Sequence, residues 1–229
     1  LYQSKCAVCH GDEGRGDGDA AYLLQPKPRN FRLGKYRIVS TDNLVPTEAD
    51  LVRTITKGLP GTAMPPWPEL SEVQKQQLAK YIMGFLYDEI LKEELASDET
   101  PEDAKTTAAE AIMPGKNIDH IAQDSKASAV SSNPEELKAS FVTLCAKCHG
   151  EDGTGKDDPS WRTQEGYGIT SRNFKEGVFK GGRDDIELFR RIYLGMPGTP
   201  MASFGTIPPK QIWQMVRYIQ SLADPKAQE

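Results

Sequence analysis

The motif Cys6-Ala7-Val8-Cys9-His10-Gly11 returns as Cys145-Ala146-Lys147-Cys148-His149-Gly150. No other feature constrains the fold as strongly, because a duplicated motif calls for a duplicated surrounding structure. The match continues well beyond it. "RNFRLGKY" (29–36) pairs with "RNFKEGVF" (172–179), and "GLPGTAMPPW" (58–67) pairs with "GMPGTPMASF" (195–204). Tyr81-Ile82 then pairs with Tyr218-Ile219, and the alignment needs no gap from Gly58 to Phe85. The second copy is longer before its RNF, and the first is longer around Ile38 to Val45. Both differences are expected to be loop insertions.

The expected organisation is therefore two homologous units, 1–95 and 133–229, with 96–132 between them as a partly ordered linker. Each unit reads as mostly α. In the second, Asn133 caps a helix that has Pro134 in its first turn and Leu137, Phe141 and Leu144 on one face, running into the CxxC motif. A middle helix starts near Asp184 with Glu187 as its capping-box partner. A last helix follows Pro208-Pro209 and carries Ile212, Met215, Val216, Ile219 and Leu222 along one stripe. The first unit repeats this plan from Thr47 and from Ser71 with Gln74. Leu1 aligns with Ser140, inside a helix of the second copy, so native residues are expected upstream of Leu1. The linker is rich in Ala, Ser, Thr and acidic residues, with a short helix expected from Pro101. Ile112, Met113, Ile118 and Ile121 suggest that part of it lies on a domain surface.

Composition excludes several functions. A net charge of −5 argues against a nucleic-acid partner. No run of about 18 apolar residues is present to span a membrane. No secretory leader precedes the first cysteine, which suggests a processed or trimmed chain. The four cysteines all lie in the two CxxC motifs, so none remains for a structural disulfide.

Four chemistries can use paired cysteines followed by glycines. A zinc ribbon needs both CxxC pairs in one site, and here they lie in separate repeats. A thioredoxin-type disulfide needs a βαβ setting that helical units do not supply. A phosphate loop fails because Asp12, Glu13, Asp17 and Asp19 would repel the phosphate and no GK[ST] follows. Calcium on those acids lacks an EF-hand pattern. C-x-x-C-H remains, the attachment signature of c-type haem. Two thiols three residues apart on a helix end share a face. They can reach the two vinyl groups of one porphyrin, while the following imidazole turns under the iron. His10 and His149 are the expected proximal ligands, each needing an acceptor for its other ring nitrogen. A carbonyl near Pro28 and one near Ser171 are the candidates. His120, in the linker, is not expected to be a ligand.

The sixth iron position separates a carrier from an enzyme. Met64 in "PGTAMPP" and Met201 in "PGTPMAS" occupy matching loops at nearly equal distances behind their histidines. Met83 and Met215 lie on helix stripes and read as core filling. Met196 rivals Met201 but aligns with Leu59, so a duplicated site cannot use it.

On these residues each unit resembles a class I c-type cytochrome domain, and the whole chain is similar to tandem two-haem cytochromes of bacterial respiratory chains. The resemblance implies two covalent c-type haems with His/Met-ligated iron. It also implies a periplasmic or membrane-surface location, and redox-protein donors and acceptors that include larger dehydrogenase or reductase complexes. The first and last helices are expected to cross, so that Tyr2 or Phe141 meets the helix of Tyr81 or Tyr218. The implied pocket walls are Phe31, Tyr36 and Trp67, with Phe174, Phe179 and Phe204 as counterparts. Arg29 and Arg172 are implied partners of the haem propionates. The expected role is one-electron transfer without catalysis. The rival is a dihaem peroxidase-like enzyme with one open haem, and the two Met loops favour the carrier.

Overall fold

A computed structural model describes residues 1–97, 99–126 and 133–223. The linker residues 127–132 and the end of the second expected unit, 224–229, lie outside the described residues. The chain forms two compact units. The first comprises Leu1–Gly58 and Thr62–Lys116, and the second runs from Asn117 onward together with Leu59–Gly61. Among the described residues the structure is helical, with no strand. No helix is long and apolar enough to cross a membrane.

The first unit contains α1 (Tyr2–Lys5), α2 (Ala7–His10), α3 (Glu48–Lys57), α4 (Glu72–Leu95) and α5 (Pro101–Ala111). Local chemistry sets the starts of α3 and α4. Thr47 and Asp50 form a reciprocal capping box, and so do Ser71 and Gln74, each satisfying two backbone donors that a helix start leaves orphaned. Helix α1 packs on α4 through aromatic rings. Tyr2 lies 5.0 Å from Tyr81 and 5.2 Å from Phe85 between ring centroids. Such a pair adds about 1 kcal/mol beyond the area it buries. The Tyr2 hydroxyl donates to the Gly11 carbonyl at 2.9 Å, which fixes the turn after His10.

The longer stretch around Ile38 to Val45 is not a plain surface loop. Ile38, Val39, Ser40 and Thr41 are all buried. The Asp50 carboxylate, 1% exposed, accepts from the Ser40 amide and hydroxyl and from the Thr47 amide, and it pairs with Arg53. A buried carboxylate with this many donors is satisfied, and the insertion is folded into the unit's interior.

The second unit contains α6 (Asp119–Lys126), α7 (Pro134–Leu144), α8 (Ala146–His149), α9 (Asp185–Leu194) and α10 (Pro209–Leu222). Asn133 caps α7 as its sequence suggests. Phe141 meets Tyr218 of α10 at 4.9 Å, reproducing the Tyr2–Tyr81 crossing. Along α10, Ile212, Trp213, Met215, Val216 and Ile219 are buried. Glu187 does not close a capping box with Asp184. It accepts from Arg190 at 2.6 Å, because the Arg190 guanidinium, one turn further along α9, needs a second carboxylate.

The stretch between the repeats is used by both units. Helix α5 starts at Pro101, with Thr100 as its cap, and packs on α4 with Ala104 and Ala108 fully buried. Helix α6 docks on α9 and α10. Arg190 forms a two-pronged pair with Asp119 at 2.7 and 2.5 Å. The Trp213 indole donates to the Ala122 carbonyl at 3.1 Å and to the Ser125 hydroxyl at 3.0 Å. Ile118 is buried, whereas Met113 is 62% exposed.

Candidate functional site

The two CxxCH motifs are built alike. In each, a helix breaks at the first cysteine and resumes for one turn that ends on the histidine. The His10 amide donates to the Cys6 carbonyl at 2.9 Å, as the His149 amide does to Cys145. The Cys9 amide reaches the Cys6 carbonyl at 3.2 Å, and that of Cys148 reaches Cys145 at 3.1 Å. One helical turn therefore carries both sulfurs and the imidazole of each motif.

Both imidazoles are fixed through the same contact. His10 Nδ1 lies 3.0 Å from the Arg29 carbonyl, and His149 Nδ1 lies 3.3 Å from the Arg172 carbonyl. A carbonyl only accepts, so Nδ1 carries the proton and Nε2 is left with its lone pair. The acceptors are thus one residue beyond Pro28 and Ser171. Burial lowers the pKa of both histidines below the ordinary value, so both rings are neutral near pH 7, the form that ligates a metal. Each ring stacks on the phenylalanine of the RNF motif. His10 lies 4.5 Å from Phe31, and His149 lies 4.4 Å from Phe174.

Behind these rings Tyr36 stacks on Phe31 at 6.1 Å, and Phe179 on Phe174 at 6.0 Å. The RNF turns are held by Asn30 and Asn173, whose side chains accept from Arg32 and Lys175 amides. Glycines bring the post-motif loop against them. The Phe31 amide donates to Gly14, and the Phe174 amide to Gly153, each at 2.8 Å. Gly14 and Gly153 have φ of 70° and 75°, which only glycine adopts without strain.

Met64 and Met201 lie half-buried in the loops after α3 and α9. Each amide donates to the preceding threonine hydroxyl, Met64 to Thr62 at 3.1 Å and Met201 to Thr199 at 3.2 Å. Gly58 and Gly195 let each loop turn back tightly. A Cβ on either would lie 2.7 Å from the carbonyl of the corresponding methionine. Beyond the methionines, the Trp67 amide donates to Ile55 at 3.0 Å and the Phe204 amide to Ile192 at 3.1 Å. In the first unit the Lys5 ammonium sits 5.0 Å from the Trp67 ring centroid, which ties the methionine loop to the helix before Cys6.

The structure thus brings Cys6, Cys9, His10, Arg29, Phe31 and Tyr36 into one constellation, and Cys145, Cys148, His149, Arg172, Phe174 and Phe179 into another. The expected main-chain acceptors are the carbonyls of Arg29 and Arg172, next to Pro28 and Ser171. The Arg172 guanidinium lies 3.9 Å from Glu176. His120 is apart from both constellations, its Nδ1 2.9 Å from the Asn117 carbonyl.

The donor chemistry discriminates between possible groups. Burial raises the Cys6 thiol pKa and pushes that of Cys145 up to about 11. A redox-active disulfide needs the opposite shift. Among the described residues no three His, Cys, Asp or Glu side chains converge to hold a metal ion. Two thiols on one turn, a neutral imidazole with its Nδ1 fixed and a thioether in a tight loop fit a covalently held haem.

Comparisons with known proteins agree. Residues 1–82 match the family described as Cytochrome C oxidase, cbb3-type, subunit III, and residues 135–223 match the Cytochrome c family. No curated protein matches the chain. A solved chain from the Kuenenia stuttgartiensis reducing HAO-like protein complex Kustc0457/Kustc0458 is similar, at 29% identity and a TM-score of 0.76. The alignment covers 97% of this chain and 94% of that one. With both CxxCH sites folded alike and each half matched by a cytochrome c family, the chain is a tandem of two cytochrome c domains.

Proposed function

We propose that the protein is a dihaem electron carrier that serves as the cytochrome subunit of a larger extracytoplasmic redox assembly. The observation that carries this is the duplication of the whole constellation: two CxxCH turns, two carbonyl-fixed histidines and two methionine loops of one geometry. A haem held in each unit supplies a one-electron Fe(III)/Fe(II) couple. Cys6, Cys9, Cys145 and Cys148 anchor it as thioethers. His10 and His149 present Nε2, and the Arg29 and Arg172 carbonyls hold each ring in one tautomer and orientation.

Met64 and Met201 would supply the iron's remaining protein ligand. A thioether is a soft donor that favours the reduced metal, and iron held by two protein ligands would transfer electrons without binding substrate. Phe31, Tyr36 and Trp67, with Phe174 and Phe179 in the other unit, would line the macrocycle with apolar surface. Such a lining would disfavour net charge at the metal and raise the potential. The guanidinium groups of Arg29 and Arg172 would pair with the haem carboxylates. The similarity to a chain of an HAO-like complex supports a partner that is itself a redox enzyme.

Optical and EPR spectra of the purified holoprotein test this reading. Two low-spin haems, each with a methionine-to-iron charge-transfer band, are expected. Met64→Ala and Met201→Ala should each abolish one band and leave the other. A high-spin haem in the unaltered protein that binds cyanide or peroxide would overturn the carrier assignment in favour of an open, peroxidase-like site.

A further inference from the structure

The segment between the CxxCH motif and the RNF turn is longer in the second unit, and the structure folds it into a small hairpin. Arg162 bridges Gly168 in antiparallel fashion. The Thr163 amide donates to Tyr167 at 2.8 Å, and the Ile169 amide to Trp161 at 3.3 Å. Thr163 is buried, and its hydroxyl accepts from the Tyr167 amide at 3.3 Å. The next residue reaches out of the hairpin. The Gln164 amide donates to the Gly198 carbonyl at 3.1 Å. Gly198 lies at the turn of the loop that carries Met201. That loop closes on itself by the Met196 amide donating to Met201 at 3.0 Å and the Thr199 amide donating to Met196 at 3.1 Å.

The corresponding segment of the first unit takes another course. It forms the 3₁₀ turn Ala21–Leu23 beside the CxxCH helix. There the Ala20 amide donates to Val8 at 2.8 Å and the Gly18 amide to Cys9 at 3.2 Å. The extra residues of the second unit are thus directed at the methionine loop, while those of the first return to the cysteines.

We infer that the 161–169 hairpin braces the Met201 loop, with Gln164 as a positioning residue whose main-chain N–H makes the second haem's methionine harder to displace. The inference rests on Met201 being the sixth ligand. An external ligand enters only when the loop swings its thioether away, and that motion must break every bond that fixes the loop. The Gly198 carbonyl is one of these fixed points. Because the donor is main chain, the identity of the side chain at 164 is immaterial and the presence of an N–H is decisive.

The test uses ferric holoprotein in a Met64→Ala background, where the remaining methionine band belongs to the second haem, titrated with imidazole. Gln164→Pro should lower the imidazole concentration at half-loss of the band by about five- to tenfold, the equivalent of one lost hydrogen bond. Gln164→Ala should leave it unchanged. A Gln164→Pro protein with native circular dichroism and an unchanged midpoint would overturn the brace. If Gln164→Pro does not fold, Thr163→Val loosens the same hairpin and should shift the midpoint in the same direction, by less; no shift there overturns the inference equally. Met201→Ala separates the two ideas. Persistence of the band in that variant refutes the ligand assignment, and the brace with it, whereas its loss with no Gln164→Pro effect refutes the brace alone.

Discussion

The two units carry one site on different supports, and the comparison separates what the site requires from what it tolerates. The carbonyl of the second cysteine is satisfied in both, by the Gly18 amide in the first unit and by the Ser171 hydroxyl at 2.6 Å in the second. The side chain that packs against the post-motif glycine also differs. In the first unit Phe85 faces Gly14, and in the second Leu222 faces Gly153. Helix α4 runs for 24 residues and α10 for 14. Against this, His–carbonyl distances, the His–Phe stacking and the Thr–Met turn agree closely between copies. The CxxCH, RNF and Thr–Met geometry is preserved, and its scaffolding has been rebuilt.

The largest test of this division is removal of one attachment site. Cys6→Ser with Cys9→Ser should reduce covalent haem from two per chain to one by mass spectrometry, and should abolish the first unit's cooperative unfolding transition. A unit of this size has a modest core without its macrocycle. The second unit's spectrum should be unchanged. Retention of a normal first transition would show that the two supports, and not the haems, hold the units together.

A sharper comparison sets the two glycines against each other. A Cβ on Gly14 would lie 2.6 to 2.9 Å from three atoms of the Phe85 ring, whereas one on Gly153 would lie 2.6 Å from a single Leu222 methyl. Both substitutions carry the left-handed backbone cost of about 1 kcal/mol. A rigid ring packed among Tyr2, Phe31 and Tyr81 has nowhere to go, while a leucine methyl at a helix end can rotate away. Gly14→Ala should therefore cost about 3–4 kcal/mol and Gly153→Ala about 1–2 kcal/mol, read as separate shifts of the two thermal transitions. Equal costs would mean that the Phe85 cluster is softer than its packing implies.

The smallest effect concerns acid. The Asp185 carboxyl is held below its ordinary value, first by the Lys126 ammonium at 2.7 Å and then by the Gln220 amide. A carboxylate whose folded pKa is lowered adds stability above its unfolded value, and loses it as pH falls through the folded one. Between neutral pH and the ordinary 3.8 the contribution is intact, and it fades below that. The pair is partly exposed, so about 0.5 kcal/mol is at stake. Asp185→Asn should flatten that part of the second unit's acid profile and leave the first unit's alone.

The features readable in the sequence were those in which a single residue type serves one local purpose. Thr47, Ser71 with Gln74, and Asn133 before Pro134 announce helix starts because capping is decided within one turn. The duplicated CxxCH motifs announced the two cytochrome c domains. What stayed hidden depends on distant partners. Ala104, Ala108 and Ala122 look like filler in a polar stretch, yet each is fully buried because small side chains let two helices approach closely. Glu187 stands where a capping residue would, but Arg190 claims it. The neighbourhood of the histidine acceptors was legible beside Pro28 and Ser171, but which carbonyl accepts is set by the fold of the RNF turn.

The division of the 96–132 stretch between the units has a practical consequence for dissecting the molecule. A fragment that stops at Leu95 would strip α5 from α4 and leave an apolar flank bare. One that starts at Asn133 would remove Asp119 from beneath the Arg190 guanidinium, along with both acceptors of the Trp213 indole. Halves for studying each cytochrome c domain separately are best divided between Lys116 and Asn117, the boundary of the two units within this stretch. A protease or cloning boundary chosen from the repeat alone would instead cut away material that each half has adopted as its own.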